Sequence, residues 1–436
     1  MHERDQDIIA LTHVCRTWRE VFVSRSSLWT SFYCLDKEKT RIYLERSKSS
    51  PIDLALVRNQ DMPPDDPFFQ LTPHATGRLR SLSFGGLSED IQVVTSHLSH
   101  PAPLLERLSI RHRGRMLHNP PVLASTLFNG DFSSLRMLRL EAIYTELPWR
   151  NMVNLTSFGL HSMPEAISVG RLLDFFESAP HLEEVTLYST IPTVGAQNGR
   201  VVSLACLKSM CVDDDNPTSV LLDHLLIPVG AKLEIRANLL SSLIGVHLPR
   251  SLDNLENFSD FTTIQLHPDR YYLHINFGGS NGQVNMTLRT YGDNPTNLTL
   301  GSLSEFDTSK TEQLEIYHGH LLTEDPLYQT LLPMKDLRTL MLSGCKNQDI
   351  FIRALQPTTS SSEVVVCPKL EEFILILLFE GMFDTTSVVE MAAARASRGK
   401  RLRTIRIIDG RGGVDLDVSE LRKYVWNVEY SSGAGL

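Results

Sequence analysis

The residues best spaced for catalysis are Gly-Gly-Ser-Asn-Gly at 278–282, which fit the pattern Gly-x-Ser-x-Gly. In a nucleophile elbow this pattern exposes a serine, here Ser280, on a sharp turn between a strand and a helix. Strand-like residues precede the motif at 271–277, but residues 283–288 also read as a strand. A Gly-Ser-Asn-Gly loop between two strands is typical of a hairpin. The sequence therefore favours a structural turn and predicts no catalytic residue. An α/β hydrolase that uses Ser280 is kept as a third hypothesis, beside the two non-enzymatic functions given below.

Histidine and aspartate clusters offer metal ligands, but not at ligand spacing. His97, His100, His112 and His118 have no carboxylate or cysteine correctly spaced beside them. The run Asp213–Asp215 lacks the alternate spacing and the closing glutamate of a calcium loop. The sequence thus predicts no metal site, no cofactor and no enzymatic activity.

One recurring pattern predicts the elements that would position a binding surface. An apolar residue is followed by two others, an apolar residue, one other and a third apolar residue, as in a short strand with one buried face. Such a recurrence is typical of leucine-rich repeats, each of which buries its apolar face only against its neighbours. The copies begin at Leu79, Leu105, Leu135, Leu155, Leu182, Leu207, Phe261, Leu337, Leu370 and Leu402, with weaker ones around Leu233 and Leu314.

The predicted fold class is α/β. We expect an irregular leucine-rich-repeat solenoid over residues 75–430, with parallel strands on the concave side and helices on the convex side. Stretches at 90–98, 169–178 and 386–395 suit those helices. The pattern is least regular between 271 and 300, where strands are expected at 272–277 and 284–290. A linker at 51–74 precedes the repeats, and a disordered tail at 431–436 follows them.

Residues 1–50 are predicted to form a separate small helical unit. Ile8, Leu11, Cys15, Trp18 and Phe22 lie three or four residues apart, which places them on one face of a helix. A second apolar cluster follows at 28–32.

The string Val-Cys-Arg-Thr-Trp-Arg at 14–19, followed by Ser-Leu-Trp at 27–29, resembles the second half of an F-box, as found in fungal F-box proteins. The resemblance covers about residues 8–32. It implies a small helical domain that binds the Skp-type adaptor of a cullin-RING ubiquitin ligase, while a C-terminal repeat domain captures a protein substrate. It assigns the adaptor contacts to Leu11, Val14, Cys15, Trp18, Leu28 and Trp29.

The chain departs from that family at its start. The family's motif opens with a Leu-Pro-x-Glu helix, and no such helix precedes Cys15 in this sequence. We therefore expect weakened adaptor binding if the helix is truly absent. The alternative is a leucine-rich interaction scaffold not engaged with a ubiquitin ligase, whose N-terminal residues only cover the first repeat, because the ends of repeat arrays need capping.

Strand alternation predicts which residues face a substrate. In each repeat the first, fourth and sixth positions point into the core, so the third and fifth point to the concave side. Arginines, among them Arg111 and Arg113, make the early repeats basic, whereas the middle is acidic, so charge complementarity is expected to select the partner. The substrate-binding candidates are Arg107, Arg139, Glu184, Thr186, Glu315, Met341, Glu372 and Arg406.

Composition narrows the function classes. The 436 residues carry 42 lysines and arginines against 51 aspartates and glutamates, a net charge of −9. This balance argues against a general binder of nucleic acid or of anionic membranes. Charges occupy the N-terminus where an export signal needs apolar residues, and no run approaches the ~18 apolar residues of a membrane span. We expect a cytoplasmic or nuclear substrate adaptor with a protein partner.

Overall fold

A computed structural model describes residues 8–432 of the chain, with gaps. Over these residues the fold is mixed α/β, with a large, mostly parallel sheet and no closed barrel. The chain divides into two compact units, Met1–Lys208 and Ser209–Leu436. The described range omits residues 35–36, 58–72, 115–119, 166, 191–198, 215, 240–246, 249–254, 256–260, 270–271, 280–281, 291–302, 304–306, 319–323, 346–347, 357–364, 379–384 and 411–416.

The first unit alternates short strands with helices and turns. Its helices are α1 Arg16–Ser24, α2 Lys37–Arg46, α3 Pro73–Thr76, α4 Ser88–His97 and α5 Val169–Ser178. Single 3-10 turns occupy Ser26–Trp29, Leu127–Gly130 and Trp149–Asn151. Its strands are β1 Ser31–Cys34, β2 Ile52–Val57, β3 Leu79–Gly86, β4 Arg107–His112, β5 Val122–Leu123, β6 Met137–Glu141, β7 Tyr144–Thr145, β8 Ser157–His161, β9 Glu184–Tyr188 and β10 Val202–Ser203.

The main strands of this unit form a parallel sheet in the order β1, β2, β3, β4, β6, β8, β9. Neighbours pair in register, so equivalent positions of successive repeats align across the sheet. Because side chains alternate along a strand, the fourth and sixth positions form two buried rows, and these predicted core positions are confirmed. The rows are Leu82, Leu108, Leu138, Phe158 and Val185, and Phe84, Ile110, Leu140, Leu160 and Leu187.

β2 corrects the predicted linker at 51–74. Ile52, Leu54 and Leu56 are buried and alternate with Asp53 and Ala55, which is the period-two pattern of a strand with one buried face. The strand pairs with β1 on one side and β3 on the other. The expected all-helical unit at 1–50 likewise contains a strand, β1. The sheet thus begins earlier than the repeat pattern indicates.

α5 shows how the helices cover the buried rows. The predicted helix at 169–178 is confirmed with those bounds. It begins because the Ser168 side chain accepts a hydrogen bond from the backbone N–H of Arg171 at 3.4 Å. Its Phe175 ring lies 4.3 Å from the ring of Phe158 and 5.1 Å from that of Trp149, so aromatic packing fixes the helix on the sheet.

The second unit contains four strands of eight residues each. Its helices are α6 Ser219–Leu222, α7 Glu324–Leu331, α8 Gln348–Leu355 and α9 Thr385–Ser397, and a 3-10 turn occupies Leu421–Lys423. Its strands are β11 Ser209–Asp213, β12 Leu225–Leu226, β13 Lys232–Leu239, β14 Phe261–Pro268, β15 Tyr272–Gly279, β16 Gln283–Thr290, β17 Gln313–Tyr317, β18 Thr339–Ser343, β19 Glu372–Leu377, β20 Thr404–Asp409 and β21 Asn427–Ser432. The last strand includes two residues that the sequence assigned to a disordered tail.

A reversed segment interrupts the sheet of the second unit. The strand order is β11, β13, β16, β15, β14, β17, β18, β19, β20, β21. The strands expected at 272–277 and 284–290 exist as β15 and β16. β15 runs antiparallel to both neighbours, so the prediction of parallel strands is wrong at this point. The hairpin predicted for 278–282 is confirmed by the pairing of Gly278 with Gln283; Ser280 itself lies outside the described residues.

Several strands end in the same turn. The residue that directly follows the strand has a left-handed backbone at Ala142, Ser162 and Ser189 in the first unit, and at His318 and Gly344 in the second. Its N–H then bonds to the neighbouring strand. The Ala142 N–H donates to the carbonyl of the last residue of β8 at 2.9 Å, and that of Gly344 donates to β19 at 2.9 Å. The turn therefore ends one strand and ties it to the next.

Candidate functional site

The expected adaptor contacts Leu11 and Trp18 lie on two different short helical segments rather than on one helix, and Leu28 and Trp29 lie in the following 3-10 turn. Residues 8–11 are helical, a turn follows, and α1 begins after Cys15. The Cys15 sulfur accepts the backbone N–H of Trp18 at 3.5 Å, which caps α1. Across the break, the Arg19 guanidinium donates to the carbonyl of Thr12 at 2.9 Å. The predicted single apolar stripe is therefore bent at this turn.

α1 exposes its apolar side chains. Its residues have strongly amphipathic spacing, yet none of them is buried. Val14 in the preceding turn is 62% exposed, and Trp18 and Val21 are each 45% exposed. The Trp18 ring stacks on Phe22 at 5.9 Å, so the aromatic groups form one patch. We call Val14, Trp18, Val21 and Phe22 the N-terminal apolar patch; adjacent exposed apolar side chains of this kind are typical of interaction sites.

Trp29 has the opposite environment. It is fully buried, its indole N–H donates to the Phe22 carbonyl at 2.8 Å, and its ring lies 5.0 Å from Tyr43. The Arg46 guanidinium lies 4.3 Å above the same ring. Leu11 and Leu28 are half-buried. Of the six predicted adaptor contacts, Trp29 is thus a core residue that supports the patch, while Val14, Cys15 and Trp18 are exposed.

The open face of the first unit is the side of its sheet opposite the buried rows. Strand register aligns three rows of side chains there. The central row consists of small residues except for Arg139. The upper row is Asp53, Ser81, Arg107, Met137, Ser157 and Glu184; the central row is Ala55, Ser83, Ser109, Arg139, Gly159 and Thr186; the lower row is Gly85, Arg111, Glu141, His161 and Tyr188.

Ion pairs on this face leave positive charge in excess. The Asp53 carboxylate accepts from both Arg80 and Arg107, with 3.0 Å between Arg80 Nε and Oδ1 and 3.1 Å between Arg107 Nη2 and Oδ1. Asp53 is thus shared by two guanidinium groups, and its hydrogen bond to Arg80, together with the charge of Glu106, raises the pKa of Arg80. Arg111 pairs with Glu141 at 2.9 Å. Within the described part of the chain, no ion pair is found for Arg139.

The open face of the second unit is defined in the same way and holds one arginine between two carboxylates. Arg406 lies between two carboxylates, 2.7 Å from Glu429 and 3.6 Å from Glu372. Met341 and Ile374 are the half-buried apolar members of the same row. This arrangement is the charge inverse of Asp53 and its two arginines. Arg406 and Glu372 were predicted as substrate contacts, and the structure pairs them with each other.

Glu315, another predicted contact, is only 7% exposed. Gln265 donates to its carboxylate at 2.9 Å and the Tyr317 hydroxyl donates at 2.7 Å, while Gln313 supplies a third bond. Burial, followed by the bond to Glu315, raises the pKa of Tyr317 to about 12. The Tyr317 ring stacks on His267 at 4.0 Å. The carboxylate is thus occupied within the sheet, because the reversed segment brings Gln265 beside it.

The predicted substrate contacts in the first unit remain more accessible. Arg139 and Glu184 are exposed, and Arg107 and Thr186 are half-buried. The Ser157 hydroxyl donates to Glu184 at 3.2 Å. The structure brings these residues onto one face of one sheet, as the alternation predicts.

The described residues hold no group of three or more histidine, cysteine, aspartate or glutamate side chains that could bind a metal ion. Of the clustered histidines, His112 is buried and its Nε2 lies 3.1 Å from the Ser88 hydroxyl, while His118 lies outside the described residues. Burial lowers the pKa of His112. None of the described helices has the length and apolar character needed to cross a membrane.

Comparison with known proteins does not assign the chain to a family. No model of a protein family matches it, and no curated protein matches it.

Proposed function

We propose that the protein is the substrate-recognition adaptor of a ubiquitin ligase of the Skp/cullin/F-box type. The N-terminal apolar patch binds the Skp-type adaptor, and an irregular leucine-rich-repeat solenoid holds a protein substrate on the open face of its strands. The chain itself contributes no chemistry. It raises the rate of ubiquitin transfer by proximity, since it keeps the substrate beside the ligase.

The observation that supports this proposal best is the exposure of α1. An amphipathic helix in a folded unit normally buries its apolar face. Here Val14, Trp18 and Val21 are exposed to solvent. The buried Trp29 fixes the end of α1, because its indole N–H donates to the Phe22 carbonyl. The exposed positions coincide with the Val-Cys-Arg-x-Trp string that resembles an F-box. Aromatic anchors of this kind account for most of the binding energy at protein interfaces.

Substitution of Trp18 tests the proposal. We expect Trp18→Ala to reduce retention of the chain on an immobilised Skp-type adaptor about tenfold or more, because hot-spot truncations cost roughly 2 kcal/mol or more. The matched control is Trp426→Ala, which removes an even more exposed tryptophan, at 73%, from the second unit. The chain and any longer reading frame that contains it are both presented to the adaptor. If neither is retained, the ligase proposal is wrong.

The second candidate function is an interaction scaffold without a ligase. One observation favours it: the N-terminal residues cover the end of the sheet, where β1 pairs with β2 and Trp29 packs on Tyr43. Ends of repeat arrays need such covering. On this hypothesis Trp29→Ala unfolds the first unit, whereas Trp18→Ala has no effect on any partner.

A further inference from the structure

The open face of the first unit has a groove-like arrangement of side chains. Its central row is formed by small residues, Ala55, Ser83, Ser109 and Gly159, between two rows of larger polar ones. A main chain laid across the strands can therefore approach the sheet closely from β2 to β4, and it meets Arg139 on β6. Strands lie ~4.8 Å apart and an extended chain rises ~3.3 Å per residue, so about six residues cross from β2 to β8.

Arg139 is the exception within the small row. Its side chain lies over Gly159 of the next strand: a β-carbon added to Gly159 would stand 3.5 Å from both Cγ and Nε of Arg139. Arg113 lies in the same manner over Gly85, whose β-carbon would stand 3.1 Å from Arg113 Nε. Both arginines are exposed. Neither has an ion pair among the residues that the structure describes. Two cations thus face solvent from fixed positions.

The positive field of this face acts on a neighbouring group. His161 lies in the lower row, and its Nε2 would be 3.5 Å from a β-carbon at Gly159. Burial lowers the pKa of His161, and the charges of Arg139 and then Arg111 lower it further. The charges that act on His161 are thus positive, on a chain whose net charge is −9.

We infer that the open face of the first unit binds an extended acidic segment of a partner protein, with carboxylates held by Arg139 and Arg113, for which the described residues offer no ion pair. Charge complementarity selects the class of partner, since guanidinium groups bind carboxylates in charge-assisted hydrogen bonds. Nucleic acid fits less well, because Glu141 and Glu184 lie among the arginines: a backbone with a phosphate at every unit must place charges beside them, whereas a peptide can place uncharged residues there. The inference rests on the proposed substrate-binding role of this face.

Fluorescence anisotropy with purified full-length protein tests this inference. The probe is a fluorescein-labelled peptide of alternating glutamate and glycine, about eight residues long to span the strands. A glutamine–glycine peptide of the same length measures the contribution of charge, and an oligo-dT strand measures binding of phosphate backbone. We expect the glutamate peptide to bind at least about tenfold more tightly than the glutamine peptide. Equal binding of the two peptides, or tighter binding of oligo-dT, overturns the inference.

Variants of Arg139 locate the site. We expect Arg139→Gln to weaken binding of the glutamate peptide about tenfold, since one charge-assisted contact is lost. Arg139→Glu is expected to reverse the preference toward a lysine–glycine peptide, which a merely structural role does not produce. The control is Arg150→Glu, an exposed arginine of the same unit that lies outside the open face. Equal effects of the Arg139 and Arg150 variants contradict the site.

These measurements separate the two proposals. The peptide assay contains no adaptor, so it succeeds or fails independently of the Skp-type pull-down. Peptide binding without adaptor binding contradicts the ligase proposal and supports the acidic-segment site. Adaptor binding without peptide binding supports the ligase proposal and contradicts the acidic-segment site.

Discussion

His247 is a buried histidine of the second unit. It is 1% exposed, and among the described residues neither ring nitrogen finds a hydrogen bond. The backbone is held instead, since the Thr218 hydroxyl donates to the His247 carbonyl at 2.5 Å. Burial lowers the pKa of His247 to about 4, because the charged ring would lose its hydration. The folded second unit therefore keeps this ring neutral.

This environment predicts a loss of stability in acid. The unfolded chain takes up the proton near pH 6.5 and the folded chain only near pH 4, so the contribution of His247 is complete above pH 6.5 and lost as the pH falls toward 4. The linkage amounts to about 3 kcal/mol. We expect His247→Leu to flatten the fall in unfolding free energy between pH 7 and 4, measured by urea denaturation. His181→Leu, at an exposed position, serves as control. An unchanged pH profile in His247→Leu contradicts the assignment.

Glu315 shows where residue-level prediction from sequence stops. Alternation correctly places it on the open side of β17, beside Tyr317 and away from Leu314. Its burial comes from Gln265, which is fifty positions away in the chain and bonds to its carboxylate. No local pattern reports a contact of that separation. The open-face position of Arg139 was predictable, by contrast. Its neighbour Gly159 occupies the equivalent position of the adjacent repeat.

The turn that ends β18 gives a prediction at the scale of the element. Gly344 has a φ of +62°, and a β-carbon there would stand 2.9 Å from His318 Nδ1 and 3.1 Å from Leu378 Cδ1. We expect Gly344→Ala to lower the free energy of unfolding by about 1–2 kcal/mol, because the left-handed backbone is unfavourable for residues with a β-carbon. Gly230→Ala is the control, since no atom lies within 4 Å of its β-carbon position. We expect that change to be neutral or stabilising by up to about 1 kcal/mol. Equal effects at both glycines, measured by thermal or urea unfolding, would show that the turn is not strained.

Cys345, next to this turn, was readable from the sequence. The full leucine-rich repeat places Asn or Cys three residues after its third apolar position, and only the copy ending at Leu342 does so. Cys345 is buried, and its sulfur lies 3.7 Å from the Ile316 carbonyl and 3.8 Å from that of Ser343. In several other copies a left-handed residue such as Ala142 or Ser162 makes the turn without that side chain. The turn therefore recurs in copies that lack the consensus Asn or Cys.

Strand order in the second unit was not predictable from the same pattern. The sequence gives β14, β15 and β16 as apolar strands with a hairpin turn, and all three exist. It does not indicate that β16 pairs with β13 while β14 pairs with β17. Each strand presents an equivalent alternating face, so several pairings bury the same residues. The reversed order adds the parallel β13–β16 and β14–β17 pairings, and tertiary packing selects it.

At the scale of the whole molecule, the open faces of the two units differ in charge. The first has one carboxylate between Arg80 and Arg107, and the second has one guanidinium, that of Arg406, between Glu372 and Glu429. Charge patterning along the repeats indicated a basic beginning and an acidic middle, but only the ion pairs show which charges are balanced. An acidic ligand is therefore expected to bind the first unit rather than the second.

The proposed role requires two separate surfaces on the first unit, the N-terminal apolar patch and the open face. They share no described contact, since Trp18 interacts with Cys15 and Phe22, whereas Arg139 lies on Gly159 near His161. Energetic effects at sites without shared partners add. We therefore expect Trp18→Ala to leave the affinity for the glutamate peptide within about twofold, and Arg139→Gln to leave adaptor retention equally unchanged. The double variant, measured in both assays, should show each defect at its single-variant size. Loss of both activities in either single variant would mean that one continuous surface serves both partners, and a bridging adaptor needs two.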